Sequence, residues 1–333
     1  MILHVIKHYL ASKDLYAQFK TARIMKHQGG LIFYHAVLET GIFKILEKPK
    51  TLDELARESG ITDKRLLASL LDLGCSLREI TRKNGKYRLK GAMAKALAGN
   101  VPLRELVRET VLYHADVARS IGTYLLENRK GDYLKDFGGV IAESSRILEP
   151  LIKGFIYHTI KKSSPLTILE LGCGAGEYLK YYADINRNSR GTAIDIDPSA
   201  VAIARGKIKE NKLESNFTVE RDNIITLQTV RDRTFDLVTS YSNMHYFSDN
   251  DRAGQFSMIY KLLNKHGRFM LATGFKARSL SSSYYDLIFS ATQGLYPLPY
   301  IDDIVNALKR SGFARVKTVS LMGRSFMGVV AYK

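Results

Sequence analysis

Residues 168–176 read Ile168-Leu169-Glu170-Leu171-Gly172-Cys173-Gly174-Ala175-Gly176. A short apolar run carries into Glu170, three glycines follow at alternate positions, and residues 177–183 continue in a helical pattern. Glycine permits a sharp turn and lets a ligand approach the backbone with no Cβ in the way. The first N–H groups of the helix behind it are free to meet that ligand. A strand, a glycine turn and a helix in this order belong at the carboxyl end of the first strand of a doubly wound sheet, where nucleotide-like ligands bind.

The downstream pattern extends this reading. Residues 191–195 form the predicted second strand and end at Asp195, 19 residues past Gly176, with Ile196 beside it. A carboxylate there is placed to accept hydrogen bonds from ribose hydroxyls. Asp197 precedes Pro198, which suits a helix N-cap with proline at the first helical position. A third strand at 217–221 ends at Asp222-Asn223, and a fourth at 235–241 ends at Tyr241. A helix near 253–263 precedes a fifth strand starting at Gly267, and a helix at 301–310 precedes two strands, 314–322 and 325–332. Taken singly, Asp195 and Asp222 also read as surface turn carboxylates. Taken with the glycine turn, their order and spacing favour a ligand site.

The segment 168–176 resembles motif I of the class I S-adenosylmethionine (SAM) methyltransferases, (Asp/Glu)-x-Gly-x-Gly-x-Gly. The dinucleotide fingerprint, Gly-x-Gly-x-x-Gly, counted from Gly172, requires glycine at 177, where this chain has Glu177. The resemblance implies an α/β, Rossmann-like, seven-stranded sheet closed by the final hairpin, with SAM as cofactor. It places Glu170, Gly172, Cys173, Gly174, Gly176, Asp195, Ile196, Asp222, Asn223 and Tyr241 around that cofactor. Glu170 would lie toward the cationic methionine end, and Asp222 and Asn223 toward the adenine edge.

Ahead of this domain the chain reads as helical with a small hairpin. Thr51-Leu52-Asp53-Glu54 is a capping box, Gly60 suits a helix end, and residues 63–73 form a second helix. Residues 80–89 turn at Asn84-Gly85, a strong two-residue hairpin signal. Helix, helix and hairpin make a winged helix. Its second helix carries five leucines, two basic residues and two acids, so it offers no polar face for reading bases, and the basic hairpin alone supplies only phosphate contacts. The region 21–97, with the runs 38–46 and 52–60, resembles the dimerisation domain of the O-methyltransferases that include caffeate-type and antibiotic-tailoring enzymes. That resemblance implies a homodimer through the N-terminal helices. The predicted organisation is a winged-helix dimerisation domain at 1–100, a helical linker and active-site roof at 101–162, and the SAM-binding domain at 163–333.

Composition narrows the setting. At 333 residues and 45% hydrophobic the chain can build two cores. It has two cysteines, Cys75 and Cys173, and a disulfide to a residue inside the glycine turn is awkward, so a reducing, cytoplasmic location is expected. The start, residues 1–7, is apolar without signal-peptide architecture, and no run approaches the ~20 apolar residues of a membrane span. The net charge of +17 draws anions. The basic residues are dispersed, which favours an anionic substrate or a basic proteome over a nucleic-acid partner.

The chemistry is expected past the fourth strand. In the O-methyltransferase family the segment there commonly reads His-Asp-Trp-x-Asp, and its histidine is the general base. Here it reads His245-Tyr246-Phe247-Ser248-Asp249, so His245 becomes the candidate base or substrate anchor, the alternative being a packing residue. Asp249 is expected as the N-cap of the next helix. Tyr34, Arg146, Tyr157 and Tyr246 are candidate substrate contacts, with Arg146 also readable as a solvated helix residue. A related branch methylates carbon beside a 2-oxo acid carbonyl and in some members holds a metal at this histidine, an adjacent acid and a later histidine. Here Tyr246 replaces the acid and the later histidine is His266, so no metal site is expected. The expected function is methyl transfer to an oxygen or activated carbon of a small-molecule acceptor. The alternatives are a 2-oxo acid C-methyltransferase, an RNA methyltransferase suggested by the charge, and a SAM-responsive winged-helix DNA-binding regulator without catalysis.

Overall fold

Thr51 starts the first short helix as its neighbours dictate. Its hydroxyl accepts from Glu54 N at 3.2 Å while Glu54 Oε2 accepts from Thr51 N at 2.7 Å, so two N–H groups without helical partners are satisfied reciprocally. The helix Leu52–Ser59 ends at Gly60 in the left-handed region, and Asp63 caps the next, Lys64–Ser76, by accepting from Arg65 N and Leu66 N. The strands β1 (Ile80–Lys83) and β2 (Lys86–Leu89) pair through a turn whose two central residues, Asn84 and Gly85, both have positive φ.

The computed structural model describes residues 2, 6, 13–161 and 164–333. Most of the apolar start at 1–7 and the boundary at 162–163 therefore lie outside the described residues. The described chain divides into two units, one running to Ala118 and including Gly139–Ser144, the other comprising Arg119–Gly138 and Ser145–Lys333. The segment expected as a linker is thus shared between them.

In the first unit the helix Leu15–Glu39 packs Phe33 and Val37 into a core with Ile42, Leu55, Leu67, Leu71, Ile80 and Tyr87. That helix ends before Gly41, which has a φ of 68° and starts the short helix Ile42–Ile45. Residues Val101–Glu109 and Ala115–Glu127 are helical around a π-helical turn, Thr110–His114. Ser144 belongs to this unit because its hydroxyl donates to the buried Glu109, which also meets His114 Nε2 at 3.1 Å.

The second unit is built on β3 (Thr167–Leu171), β4 (Arg190–Asp195), β5 (Phe217–Arg221), β6 (Phe235–Tyr241), β7 (Leu263–Gly274), β8 (Arg315–Met322) and β9 (Phe326–Tyr332). They form one seven-stranded sheet in the order β5-β4-β3-β6-β7-β9-β8. The first five run parallel and β9 is antiparallel to both of its neighbours. Successive side chains of β3 alternate between two cores. Ile168 packs with Ile152, Phe155, Tyr182, Val201 and Ala204, whereas Leu169 and Leu171 pack with Phe256, Ile259, Ile304 and Leu308. Helices therefore cover both faces, as a parallel sheet requires. The amino ends of β3, β6 and β7 are tied by Asp236, which accepts from Thr167 N, Thr167 Oγ1 and Asn264 Nδ2 at 2.7–2.8 Å.

β3 sits where the strand order reverses, with β4 on one side and β6 on the other. The connections leaving the carboxyl ends of β3 and β6 diverge there and open a crevice. Among the described residues no helix is long and apolar enough to cross a membrane.

Candidate active site

The glycine turn leaves β3 at Leu171 and stays irregular through Tyr178. The following helix is Leu179–Ile185, two residues later than the pattern at 177–183 suggested. Three of the turn's N–H groups are taken by the protein: Gly172 N and Cys173 N both donate to Ile194 O of β4, and Gly176 N donates to Cys173 O.

Two glycines there are required for different reasons. Gly172 has a φ of 68°, and a Cβ on it would lie 2.6 Å from Asn243 Nδ2. Gly174 has a φ of 52°, and a Cβ on it would meet nothing within 4 Å. The first glycine accommodates protein and the second faces open space.

Around this turn the structure gathers carboxylates. Asp195, half-buried at the end of β4, accepts from Gly174 N at 2.8 Å through Oδ2 and from Asp197 N at 3.0 Å through Oδ1. Asp197 caps the helix Pro198–Glu210 through Ser199 N, the structural role expected of it. Glu170 on β3 is 2% exposed, and its Oε2 has no hydrogen-bond partner. Burial, then Asp195 and Glu177, push the Glu170 carboxyl up to about 8. Glu177 is met by Lys207, and Arg146 approaches it at 3.7 Å.

On the same side of the sheet as Ile168, tyrosines pack beneath Glu170. Tyr182 Oη donates its one proton to Tyr241 Oη at 3.1 Å and lies 3.2 Å from Thr239 Oγ1, from which it accepts, and Tyr178 lies edge-on to Tyr241 at 5.0 Å. Tyr241 is a buried member of this layer. Burial raises its hydroxyl well above the ordinary tyrosine range, and raises the Cys173 thiol likewise. Ile196 remains exposed beyond β4.

Asp222 follows β5, and its carboxylate is fully engaged. It accepts from Asn223 N at 2.7 Å, Thr229 N at 2.8 Å and Thr229 Oγ1 at 2.6 Å. Burial alone would raise its pKa, but these bonds outweigh it and hold the carboxyl below the usual range. Asn223 Oδ1 likewise accepts from Ile225 N. Both side chains shape the loop at the carboxyl edge, and Ile224, the next residue, reaches toward Gly172.

His245 lies in the turn Met244–Tyr246 after β6. Its ring stacks on Phe289 at 4.6 Å with planes 21° apart, and tilts against Tyr246 at 4.5 Å. Enclosure by these neighbours, followed by the charge of Arg252, lowers its pKa to about 4, although the residue is only half-buried by exposed area. It is therefore a neutral imidazole at neutral pH.

Arg252 fixes this turn. It is 4% exposed and donates from Nε to Met244 O, from Nη2 to Pro297 O and from Nη1 to Asp249 Oδ1. Tyr296 N donates to His245 O, closing the same arrangement. The helix Asp249–Leu262 is capped by Ser248 in a capping box with Asp251. Asp249 is thus not the N-cap but an exposed partner of Arg252 in the first turn.

The remaining predicted contacts fall elsewhere. Tyr34 is in the first unit and donates to Glu79 Oε1 at 3.0 Å. Tyr157 is half-exposed with Lys161 over its ring at 5.4 Å, and Tyr246 is partly exposed beside His245. His266 lies near the amino end of β7, six residues before Ala272, the residue level with Tyr241. Only Arg268–Ala272 of that span is regular strand, four residues at 3.3 Å each, so His266 lies at least roughly 13 Å from the His245 edge of the sheet, and the two cannot share an ion. Sequence reasoning missed Asn243, Arg252 and Phe289. Asn243 follows β6 and was legible as a polar residue at a strand end. Phe289 sits on the helix Leu280–Ser290, where its phenylalanine carries no signal of a histidine neighbour.

Residues 168–267 match the family model described as a methyltransferase domain. A stretch of 115 residues is 29% identical to the malonyl-[acyl-carrier protein] O-methyltransferase of Acetivibrio thermocellus, covering 34% of this chain and 38% of that protein. The chain thus spans well under half the length of this curated relative. Two solved structures match over nearly the whole chain. Mitomycin 7-O-methyltransferase superimposes with a TM-score of 0.80 at 15% identity, covering 96% of this chain and 99% of the other. Human N-acetylserotonin methyltransferase in complex with SAM gives 0.73 at 17% identity, covering 97% and 99%. The fold is that of the O-methyltransferase-type, SAM-dependent enzymes: a Rossmann-like seven-stranded domain preceded by a helical N-terminal unit. Within it, residues 168–267 are the methyltransferase domain.

Proposed function

We propose that this chain is a SAM-dependent methyltransferase acting on an oxygen or an activated carbon of a small molecule. The observation that carries the reading is Glu170: a buried carboxyl with an unpartnered oxygen, beside a glycine turn whose Gly174 borders open space. A buried acid without a partner is costly, and a cationic ligand removes that cost. Asp195, half-exposed at the end of β4, keeps acceptor capacity for ligand hydroxyls. These residues fit the methionine and ribose portions of SAM. Asp222 and Asn223 contribute through the loop they shape, near the adenine.

SAM supplies an electrophilic methyl on a sulfonium, so the protein's part is to position the acceptor and handle its proton. The ring nitrogens of His245 have no hydrogen-bond partner among the described residues, and its neutral form accepts a hydrogen bond from a hydroxyl. The low pKa makes it a weak base, so its role is to orient and desolvate the acceptor hydroxyl and take the proton as methyl transfer proceeds. Tyr246 beside it is a candidate substrate contact, with Tyr157 and Arg146 of the same unit secondary.

We also infer a homodimer through the N-terminal unit, which reads as a winged-helix dimerisation domain. The helix Leu15–Glu39 exposes Tyr16, Ile24, Met25 and Ile32, an apolar surface suited to a second copy. Both cysteines are free, in keeping with a cytoplasmic setting.

Calorimetric titration with SAM and S-adenosylhomocysteine tests the cofactor. Transfer of a deuterated methyl group from SAM to a panel of hydroxyl and 2-oxo acid acceptors, followed by mass spectrometry, tests the chemistry. Absence of binding by both adenosyl compounds to folded protein overturns the reading.

A further inference from the structure

Glu170 is surrounded in a way that constrains its charge. It lies on β3 between Ala193 of β4 and Thr239 of β6, with both flanking strands hydrogen-bonded to its own. Every group that bears on it is acidic or a weak acid. Asp195 faces it from the end of β4, and Glu177 from the glycine turn. Cys173 and Tyr178 of that turn, Tyr182 of the following helix and Tyr241 of β6 complete its surroundings, and each is itself pushed toward its protonated form, with Glu170 among the causes. The cations beside Glu177, Lys207 and Arg146, meet that carboxylate. Among the described residues no cation pairs with Glu170, and its Oε2 has no hydrogen-bond donor. An ionised Glu170 would be a third negative charge beside two others, taken out of water without a partner, which is strongly unfavourable.

We propose that Glu170 is a charge-responsive acid, neutral while the site holds no cation and ionised when the positive group of a ligand arrives, so that binding a cationic ligand here expels a proton. The proposal rests on the reading of the site as a SAM site. The exchange is balanced simply: the carboxyl O–H bond breaks, the electron pair stays on the carboxylate facing the cation, and the proton passes to the solvent buffer. Because burial and the two neighbouring carboxylates hold the carboxyl near 8 in the absence of a cation, about nine in ten molecules carry the proton at pH 7.

The consequence for the reaction is directional. SAM carries a sulfonium and an ammonium against one carboxylate, whereas S-adenosylhomocysteine has lost the sulfonium charge. A Glu170 ionised against the sulfonium loses its partner once the methyl has left and takes a proton back from solvent. The product is then held less firmly than the donor, which favours exchange of one for the other. If the ammonium is the group that Glu170 meets, donor and product are treated alike.

The test is titration calorimetry at pH 7 in buffers of low and high ionisation enthalpy, with SAM and S-adenosylhomocysteine as probes. For SAM the observed enthalpy is expected to vary with the buffer with a slope approaching one released proton, and the dissociation constant to fall by up to about tenfold per pH unit between pH 6 and 8. For S-adenosylhomocysteine a slope near zero assigns the sulfonium as the partner, and an equal slope assigns the ammonium. In Glu170→Gln the slope and the pH dependence are expected to vanish, with folding checked by its melting curve. Should that variant fail to fold, difference infrared spectroscopy on the unaltered protein reads the same event as loss of a protonated-carboxyl band when SAM is added. SAM binding with no buffer dependence, persistence of the slope in Glu170→Gln, or no change in the carboxyl band overturns the proposal. Failure of SAM to bind at all overturns the function reading instead.

Discussion

Replacing Gly172 and Gly174 separately by alanine divides the folding role of the glycine turn from its ligand role. At Gly172 the new methyl carbon would lie 2.6 Å from Asn243 Nδ2 and 3.2 Å from Ile224 Cδ1. Asn243 is 8% exposed; its Nδ2 donates to Leu171 O at 3.0 Å and its Oδ1 accepts from Ser240 Oγ at 2.6 Å. The amide has to swing away, leaving Leu171 O and one amide group unpaired, at about 1–3 kcal/mol. An L-residue at a φ of 68° adds about 1–2 kcal/mol. The sum is about 2–5 kcal/mol, or a melting temperature lower by about 4–20 °C for a domain of roughly this size. At Gly174 only the backbone term applies, about 1–2 kcal/mol, since no atom is within 4 Å of the added carbon. That variant is expected to melt within about 2–8 °C of the parent while losing SAM affinity, because its methyl enters the space the ligand needs. Scanning calorimetry with and without SAM measures both. Equal destabilisation by the two substitutions, or a Gly174→Ala protein that binds SAM as the parent does, would falsify this division. A cycle with Asn243→Ala adds a check: removing the clashing amide should make the Gly172→Ala penalty smaller than additive.

Asp195→Ala removes the acceptor of Gly174 N and a candidate ribose contact, and SAM affinity should fall by about 10- to 100-fold, the magnitude of one or two charge-assisted hydrogen bonds; unchanged affinity removes Asp195 from the site. His245→Ala should lower turnover by about 10²–10⁴-fold with little change in SAM affinity. Because enclosure and Arg252 hold the parent imidazole near 4, the acid limb of its activity profile should fall below the ordinary histidine range, and a limb near ~6.5 contradicts the neutral-imidazole reading. Glu170→Gln should flatten the pH dependence of stability. The folded carboxyl is raised from 4.5 to about 8, so the parent is most favoured below 4.5 and loses stability as pH rises through 8, and melting curves at pH 6 and 9 should separate the two proteins. Arg252→Met frees three acceptors that now hold the 244–249 turn and Pro297. It should lower the melting temperature and reduce turnover more than SAM affinity; an effect confined to melting would separate the turn from the chemistry.

Most of the sheet was legible because its signals are local. An apolar run ending in a glycine turn, an aspartate before proline and the periodic pattern at 301–310 each specify one element from a few residues. The structure reproduces β3 to β6, the helix Ile301–Arg310 and the closing hairpin within one or two residues. The capping box at Thr51 and the turn at Asn84-Gly85 were readable for the same reason, since the side chain that makes the cap is itself in the motif. What was not legible depends on residues far apart in the chain. The burial of Arg252, which holds Asp249 and reaches Pro297 O, 45 residues away, is of this kind, whereas the Ser248 cap is made locally with Asp251. The later start of the helix at Leu179 follows from the turn's N–H groups being satisfied by Ile194 O of a neighbouring strand. Thr229, seven residues on, donates twice to Asp222 Oδ2, a partner that the place of Asp222 at a strand end does not reveal.

This contrast separates two kinds of acidic residue at the carboxyl edge of the sheet. Asp222 at this edge, like Asp236 at the opposite, amino ends of the strands, accepts three hydrogen bonds from the protein, and its charge holds a loop in place. Glu170 has an oxygen that nothing in the described protein satisfies, and Asp195 keeps a half-exposed carboxylate beside the open space at Gly174. A sequence pattern cannot make that distinction, because all of these acids stand at strand ends or helix starts. The distinction rests on which acids remain short of partners once the backbone has folded. Loss of an Asp222 partner, as in Thr229→Val, should therefore lower stability with SAM affinity affected only through the loop. Replacing Glu170 by glutamine should instead change binding and its pH dependence while the domain still folds. A Thr229→Val protein that folds as the parent does but no longer binds SAM would reverse the assignment and make the loop's own groups the ligand contacts.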